Sequence, residues 1–294
     1  MSASSVLGID LGGTKTALAL YDAELKQIVM RAFPTDAKRG YDAVMESLLA
    51  EVKAMIREDT VAIGLGVPGL IDHVTGTIVT MPNIPGAEGK KPGEFLAQAT
   101  GLPVVLENDA RCFAYAEAIL GAGKGHSVVL GITLGTGVGG GIVIDGKIFR
   151  GGRGYAGEVG HLLLKPGEPP YPTDDKRGDT EQFLSGTAMG RRCEAAKRPE
   201  DYLEGAVCGF MQPQVFREVA WLITDALHLI DPSVIVFGGS AGRALKPHLP
   251  EILTELRRWL LPSVRAPEVR VRELPDAALR GAALLARTAL PQRS

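Results

Sequence analysis

The stretch Gly8-Ile9-Asp10-Leu11-Gly12-Gly13-Thr14 recurs later in the chain as Gly131-Ile132-Thr133-Leu134-Gly135-Thr136-Gly137, at an offset of 123 residues. In each copy an apolar segment typical of a buried strand enters a glycine-rich turn, and a second apolar segment then leads to Asp22 or Asp145. Chance similarity between two glycine turns is the alternative interpretation. We interpret the recurrence as a duplication that produces two similar domains.

Segments with strand patterns and helix patterns alternate along both halves. Apolar strands at 61–67 and 234–237 each enter a further glycine loop, and a 3.6-residue apolar period predicts helices between strands, the last over 278–289. This alternation predicts an α/β fold with two domains around a cleft. The predicted domains are 1–122 and 123–294, and the helix over 278–289 is a candidate to pack on the first domain.

Composition and charge exclude several classes of protein. The chain has 294 residues, of which 45% are apolar and 22% charged, as in globular proteins of two domains. Its net charge of -2 provides no positive field for nucleic acid or for an anionic membrane. The N-terminus lacks a signal-peptide pattern, and no apolar run approaches the ~18 residues of a spanning helix. We therefore expect a cytoplasmic protein without nucleic-acid or membrane partners.

Three cysteines, Cys112, Cys193 and Cys208, are spread widely along the sequence. Their number and spacing fit neither a disulfide framework nor a tight metal knuckle. We expect all three to be reduced thiols.

Two glycine loops are candidate phosphate-binding sites. The first, Asp10-Leu-Gly-Gly-Thr-Lys15, follows a buried strand, and its glycines allow successive backbone N–H groups to face one anion. A tight hairpin without a ligand is the alternative. The second loop, 134–141, has five glycines in eight residues. So many glycines raise the loss of chain entropy on folding, which indicates that they have a function. Two such loops predict a polyphosphate held between the domains.

A polyphosphate ligand brings Mg2+, which prefers oxygen ligands and keeps most of its waters. A single carboxylate at a strand end therefore suffices as a protein ligand, and Asp10 is the candidate. The alternative is an aspartate that only caps the turn.

Glu107-Asn108-Asp109 follows the predicted strand 104–106, and open α/β sheets bind ligands at the carboxyl ends of their strands. Transfer of a phosphoryl group to an alcohol needs one carboxylate to accept the hydroxyl proton. Asp109 fits this role, and Asn108 beside it can orient the hydroxyl. An equal alternative is that both residues only cap the following helix.

Three polar groups, Glu158, His161 and Glu181, flank a loop at 165–179 that contains four prolines. The loop has no apolar period and is predicted to be an irregular surface loop. The three side chains are candidates to bind sugar hydroxyls, although a lone histidine is more often structural.

The motifs Asp10-Leu-Gly-Gly-Thr-Lys15, Glu107-Asn-Asp109, Leu134-Gly-Thr-Gly-Val-Gly-Gly-Gly141 and Glu158-Val-Gly-His161, in this order, resemble the ROK family of bacterial sugar kinases and repressors. The resemblance runs from about Leu7 to Leu285. It implies a duplicated, actin-like fold of the ribonuclease-H type. It also implies an enzyme that transfers the γ-phosphate of ATP, with Mg2+, to a sugar hydroxyl, usually the 6-hydroxyl of a hexose.

The resemblance also implies roles for individual residues. Asp109 resembles the general base. The residues that resemble sugar ligands are Gly66, Asn83, Asn108, Asp109, Glu158, His161 and Glu181. ATP phosphates are expected at Gly12, Gly13, Thr14, Lys15, Gly135, Thr136 and Gly137. The adenosine is expected near Gly238 and Gly239, and a homodimer is expected from the resemblance alone.

The chain departs from the family after His161, where members typically carry a Cys-x-Cys-Gly-x-x-Gly-Cys zinc knuckle. Here that stretch is the proline loop, which contains no cysteine. We therefore expect no structural zinc.

The main hypothesis is an ATP-dependent kinase for a hexose such as N-acetylglucosamine or glucose. Mannose and fructose remain open, because one or two side chains can reorder sugar preference. A polyphosphate donor also remains open, since polyphosphate glucokinases share the fold and lack the knuckle. The alternative of another class is a non-catalytic sugar-binding or regulatory protein. A repressor is disfavoured because only five residues precede Val6, and Asp10 with Asp109 favours an enzyme.

Overall fold

The two copies of the glycine-turn stretch form matching strand pairs in two units. The structure is a computed structural model that describes residues 4–290, without the side chains of 199, 200, 205 and 206. Unit 1 consists of residues 4–116, 150–155 and 275–290, and unit 2 consists of 117–149 and 156–274.

The strands are β1 (Ser5–Leu11), β2 (Lys15–Tyr21), β3 (Gln27–Pro34), β4 (Thr60–Val67), β5 (Leu70–Asp72), β6 (Thr77–Thr80), β7 (Val104–Asn108), β8 (Val128–Leu134), β9 (Val138–Ile144), β10 (Lys147–Phe149), β11 (Val234–Gly238) and β12 (Glu268–Val271). The α-helices are α1 (Tyr41–Met55), α2 (Pro92–Thr100), α3 (Asp109–Ile119), α4 (Thr180–Leu184), α5 (Gly186–Arg192), α6 (Gly205–Cys208), α7 (Gln212–Ile230), α8 (Gly239–Ala244), α9 (Leu249–Leu256) and α10 (Ala277–Thr288). Short 3-10 helices lie at Ala37–Arg39, Val159–His161, Pro199–Tyr202, Gly209–Met211 and Lys246–His248.

Each unit contains a five-stranded sheet with the same topology. The order is β3-β2-β1-β4-β7 in unit 1 and β10-β9-β8-β11-β12 in unit 2. In both sheets the first three strands are antiparallel neighbours, and the remaining pairings are parallel. The offset of 123 residues places β1 on β8 and β2 on β9 with the same bounds, which agrees with the predicted duplication.

The last helix packs against the unit 1 sheet at glycines. A Cβ added at Gly8 on β1 would lie 2.5 Å from the carbonyl O of Leu279 on α10, and one at Gly64 on β4 would overlap the carbonyl O of Ala282. Leu279 and Ala283 share a buried cluster with Val6, at the start of β1. The absence of side chains at these two glycines therefore allows α10 to approach the strands.

The opposite face of the unit 1 sheet carries the main core of that unit. Leu7 and Ile9 of β1 pack with Val44 and Leu48 of α1 and with Leu96 of α2. In unit 2 the core gathers residues from β8 and β11 with α7, including Ile132, Phe237, Val219 and Ile223. The continuous apolar runs of these central strands are buried on both faces, as the sequence indicates.

The unit boundary differs from the predicted one. The chain leaves unit 1 after Ala116, inside α3, and not near residue 122. The Gly121–Gly125 turn lies within unit 2, because the Glu117 carboxylate accepts hydrogen bonds from the backbone N–H groups of Ala122 and Leu274 at 2.8 and 3.2 Å. The helix α10 returns to unit 1.

The prediction of three reduced thiols is wrong for two of them. Cys193, which follows α5, and Cys208, at the end of α6, form a disulfide with their Cα atoms 6.0 Å apart. Cys112 is a buried free thiol. Their separation of 15 residues did not reveal that the fold brings the two cysteines together.

No helix within residues 4–290 combines the length and the apolarity that a membrane crossing requires.

Candidate active site

The carboxyl ends of β1, β4 and β7 bring several predicted site residues together in unit 1. Gly66 on β4 pairs in register with Asp10 on β1 and with Glu107 on β7. A Cβ added at Gly66 would lie 3.7 Å from the Cα of Asp109. Asp10, Gly66, Asn108 and Asp109 therefore lie at one edge of the sheet, where open α/β sheets bind their ligands.

Asn108 caps α3, as the capping interpretation predicted. Its Oδ1 accepts a hydrogen bond from the backbone N–H of Arg111 at 3.1 Å, and its Nδ2 donates to the carbonyl O of Gly69 at 3.0 Å. Asp109 begins the helix, is partly buried, and accepts a bond from the backbone N–H of Ala110 at 2.7 Å. Amide and carboxylate groups have further hydrogen-bonding capacity, so capping and ligand binding are compatible.

The first glycine loop is closed by a hydrogen bond within the loop and is held by a second one from Thr35. The Gly12 N–H donates to the carbonyl O of Lys15 at 3.1 Å, and the Gly12 carbonyl O accepts a bond from Thr35 Oγ1 at 2.6 Å. A Cβ added at Gly13 would lie 2.8 Å from the Cβ of Asn83. The predicted sugar-binding Asn83, which is exposed, therefore lies against the predicted phosphate loop.

Asp10 is the predicted ligand of Mg2+. The pKa of its carboxyl is raised to about 6, mainly by burial and further by the nearby Asp276, while Lys15 acts in the opposite direction. The positive charge near the carboxylate is therefore too small to offset the cost of burying its negative charge. A hard cation would supply that charge, and Mg2+ accepts one protein carboxylate with phosphate oxygens and water as its other ligands. Residues 4–290 contain no group of three or more His, Cys, Asp or Glu side chains placed to hold a metal ion.

Sequence reasoning missed an ionic cluster around Glu107, whose side chain is fully buried. Its Oε2 accepts hydrogen bonds from Nε and Nη2 of Arg150 at 2.9 and 2.6 Å. Its Oε1 accepts a bond from the backbone N–H of Asn108 at 2.9 Å and lies 3.3 Å from His73 Nε2 and 3.6 Å from Arg111 Nη1. Burial holds the pKa of His73 below its usual value. The sequence signals were the position of Glu107 beside Asn108 and the four-residue spacing to Arg111, because His73 and Arg150 come from separate segments.

In unit 2 the second glycine loop is packed against α4 and α5. The Gly135 N–H donates to the Gly137 carbonyl O at 2.9 Å, and the Gly186 N–H donates to the Gly135 carbonyl O at 2.6 Å. The Oε2 of Glu181 accepts a bond from the Val138 N–H at 2.9 Å and lies 2.5 Å from where a Gly137 Cβ would stand. Glu181, a predicted sugar ligand, therefore contacts the predicted phosphate loop of its own unit.

The ends of β8 and β11 meet at a third glycine. Gly239 begins α8 with φ +76°, a conformation that favours glycine, and a Cβ there would overlap the carbonyl O of Leu134. Thr187 Oγ1 donates to the carbonyl O of Thr136 at 2.8 Å. The predicted phosphate positions at Gly135–Gly137 and the predicted adenosine position at Gly238 and Gly239 are therefore neighbours in unit 2.

Glu158 and His161 lie at the two ends of the short helical turn Val159–His161, which packs on β9. A Cβ added at Gly160 would overlap the carbonyl O of Val138, so the turn approaches the strand closely. Glu158 is partly buried. The side chain of His161 is 53% exposed, and its Nδ1 lies 3.4 Å from Oδ2 of Asp179.

The proline loop is fixed at its base by hydrogen bonds. The Gly178 carbonyl O accepts bonds from the N–H groups of Leu164 and Lys165 at 2.9 and 3.0 Å. The side chain of Gln182 on α4 accepts a bond from the Gly178 N–H and donates to the Asp175 carbonyl O, both at 2.7 Å. The loop is irregular, as predicted, and Gln182 is a residue that the sequence did not single out.

Comparisons with known proteins agree with this arrangement. The model of the ROK family matches residues 6–289. A glucokinase of Streptomyces coelicolor is 33% identical, with 96% of this chain and 97% of that protein covered. An N-acetylgalactosamine kinase of Shewanella sp. strain ANA-3 is 31% identical, with 95% of each covered.

A solved structure supports the fold. The ROK family glucokinase from Streptomyces griseus, in complex with glucose and AMPPNP, superposes with a TM-score of 0.79 at 32% identity, covering 97% of this chain and all 100% of that one. The predicted α/β, duplicated fold of the actin-like sugar kinases is thereby confirmed. Since the family model spans nearly the whole chain and relatives above 30% identity align along nearly their full length, this chain belongs to the ROK family.

Proposed function

We propose that the protein is an ATP-dependent hexose kinase that transfers the γ-phosphate to the 6-hydroxyl of a hexose. The observation that carries this proposal is the arrangement at one edge of the unit 1 sheet, where Asp109 lies beside Gly66 and Asp10 at the strand ends. The names of the relatives support it, since both are sugar kinases. The glucose and AMPPNP bound to the Streptomyces griseus glucokinase support the same pair of substrates.

In this proposal Asp109 is the general base. Its carboxylate accepts the proton of the sugar hydroxyl as the bond from oxygen to phosphorus forms and the bond to the ADP oxygen breaks. Asn108, with its orientation fixed by Gly69 and Arg111, holds that hydroxyl. The other sugar contacts come from Gly66, Asn83, Glu158, His161 and Glu181.

ATP binding is assigned to the glycine loops. The phosphates lie against the loops Gly12–Thr14 and Gly135–Gly137 and the Lys15 side chain, and Gly238 and Gly239 contact the adenosine. The N–H groups of Gly12 and Gly135 close their own loops, so those of Gly13, Thr14, Thr136 and Gly137 are the donors assigned to phosphate. Asp10 is the residue that would hold Mg2+, directly or through water. When bound, this ion neutralises charge on the phosphate oxygens. The raised pKa of Asp10 supports this assignment, because it marks a buried carboxylate whose charge Lys15 offsets only in part.

The sugar itself is the finer part of the proposal. We favour N-acetylglucosamine or glucose. The two relatives, at similar identity, are named for glucose and for N-acetylgalactosamine. One or two pocket side chains suffice to change such a preference.

The test is sugar-dependent ADP release by the purified protein with ATP and Mg2+. The panel contains glucose, N-acetylglucosamine, N-acetylgalactosamine, N-acetylmannosamine, mannose, fructose and allose. We expect strong turnover with one or two of them. Turnover only when inorganic polyphosphate replaces ATP would contradict the ATP assignment. Sugar binding by calorimetry without any turnover would contradict the kinase assignment.

We further propose that the enzyme is a cytoplasmic homodimer without structural zinc. Light scattering coupled to size exclusion should report twice the chain mass, and a monomer contradicts the dimer. Cell fractionation should recover the protein with cytoplasmic markers.

Elemental analysis should find negligible zinc, because the loop after His161 has no cysteine, whereas one zinc per chain contradicts this expectation.

A further inference from the structure

A buried carboxylate faces the exposed imidazole of His161. Asp179 is 1% exposed, whereas the His161 side chain is 53% exposed, and its Nδ1 lies 3.4 Å from Oδ2 of Asp179. The histidine thus has one ring nitrogen against a buried acceptor. Its remaining surface is open for a ligand.

The position of the Asp179 carboxylate is set by its surroundings. Its Oδ1 accepts a hydrogen bond from the backbone N–H of Gln182 at 3.1 Å, which caps α4. Asp179 also forms an isolated antiparallel bridge with Leu163. Arg177 Nη1 lies 3.5 Å from the same Oδ2 that faces His161. The carboxylate is therefore held by groups other than the histidine and can orient it.

The chemistry of the pair fixes the tautomer. An ionised carboxylate only accepts hydrogen bonds, so the hydrogen between the two side chains belongs to Nδ1 of His161. A neutral imidazole that carries its hydrogen on Nδ1 has an unprotonated Nε2, which is an acceptor. A ligand at Nε2 must then donate, as a sugar hydroxyl does and an ether or a carbonyl oxygen does not.

We propose that Asp179 is a positioning residue that holds His161 in the Nδ1–H tautomer, so that Nε2 accepts a hydrogen bond from a hydroxyl of the hexose. The proposal rests on the proposed function for the identity of the ligand. The effect of Asp179 on the imidazole is independent of that function.

The variant Asp179→Asn separates positioning from structural support. Asparagine is as good an N-cap as aspartate, so α4 and the thermal stability should be retained. With the amide oxygen engaged by Gln182, the NH2 group replaces Oδ2 and donates to Nδ1. The imidazole hydrogen then moves to Nε2, which turns an acceptor into a donor. We expect the KM for the hexose to rise ~10-fold, the ratio that the loss of one hydrogen bond produces, with a much smaller change in kcat.

Two further variants complete the kinetic test. Asp175→Asn is the matched control, because Asp175 is an exposed carboxylate of the same loop that also binds Arg177, and its KM should be unchanged. In a His161→Gln background, Asp179→Asn should add little to the KM, because its effect acts through the histidine. Full additivity of the two substitutions would overturn the proposal.

The tautomer is measured directly by nitrogen-15 NMR of the imidazoles, at a pH above which the nitrogen shifts of His161 no longer change. The wild-type protein should show His161 with its hydrogen on Nδ1, and Asp179→Asn should show it on Nε2. An unchanged tautomer, or a switched tautomer with an unchanged sugar KM, overturns the proposal. If no sugar of the panel is phosphorylated, the proposed function fails, and a tautomer switch still establishes the effect of Asp179 on His161.

Discussion

Asp109 illustrates how a single residue acquires its function from its position. It is the first residue of α3, and it lies beside Gly66 at the strand ends of unit 1. The helix dipole favours a negative charge at this end, and the ionised carboxylate is the form that a general base requires. The same position explains why capping and catalysis were equal interpretations of the sequence, since both use an aspartate at a helix start.

The substitution Asp109→Asn should reduce kcat by roughly 10²–10⁴-fold, the usual contribution of a general base, because the amide keeps the shape but accepts no proton. Sugar affinity measured by calorimetry should stay within a few-fold of the wild-type value. Asp42→Asn is the matched control, since its exposed side chain in unit 1 pairs with Lys90. Near-normal turnover of Asp109→Asn would remove Asp109 from the role of base.

Asp10 should make the stability of the protein depend on pH. Its folded pKa of about 6 lies above the unfolded value of 3.8, so the folded state binds the proton more tightly. The resulting stability is present below about pH 4 and is lost as the pH rises through 6. Asp10→Asn should therefore be more stable than the wild type at pH 7, by at most about 3 kcal/mol, and not at pH 4. Urea unfolding without Mg2+ at both pH values tests this, and an equal difference at the two contradicts it.

The ionic cluster around Glu107 could not be predicted from individual residues of the sequence. Asp10, Asn108 and Asp109 follow apolar strands, and a polar residue at a strand end is visible in one sequence. Besides the nearby Arg111, the partners of Glu107 are His73 after β5 and Arg150 after β10. Only tertiary structure brings these distant segments to one carboxylate.

At the scale of elements, the contact between α10 and β4 depends on Gly64. A Cβ at this position would overlap the carbonyl O of Ala282, which is backbone and cannot move without displacing the helix. Gly64→Ala should lower the free energy of unfolding by about 3 kcal/mol or more. Gly93→Ala in α2 is the control, because its Cβ would meet Leu106 at an ordinary 3.6 Å and alanine favours helix. Urea unfolding of both variants checks the difference, and equal stabilities would refute the packing argument.

The disulfide between Cys193 and Cys208 ties α5 to α6. Titration of the unfolded, unreduced protein should therefore find one thiol, that of Cys112, and three after reduction. Cys193→Ser should lose about 2–4 kcal/mol of stability. A reductant should lower the melting temperature of the wild type and leave that of the variant unchanged. Three thiols before reduction would show that the disulfide does not form.

Elements differ in how well the sequence predicts them. The strands β4 and β11 are buried runs of apolar residues, and the sequence locates each of them within one residue. The edge strand β3 was missed, because most of its side chains are exposed or half-buried and its pattern is mixed. The short helices α4, α5 and α8 were also missed, because a helix of one or two turns shows no apolar period.

At the scale of the molecule, the duplication was the most informative prediction. A local pattern that repeats at a fixed offset predicts that two parts of the chain share a topology, whereas a single predicted element does not. The two sheets indeed have the same strand order. The unit boundary was less predictable. The chain returns to unit 1 twice, at 150–155 and at 275–290, and these returns depend on contacts such as those of Arg150 with Glu107 and of α10 with β1.

The return of α10 to unit 1 has a consequence for synthesis on the ribosome. β1 and β4 leave the exit tunnel early, but the helix that covers Gly8 and Gly64 follows only after every strand of unit 2. Throughout that interval the apolar residues Val6 and Ala62 lack the helix that packs on them in the folded protein. Residues of unit 1 are therefore still being added after Leu274, the last residue of unit 2, so the unit whose synthesis begins first is the last to receive all of its residues.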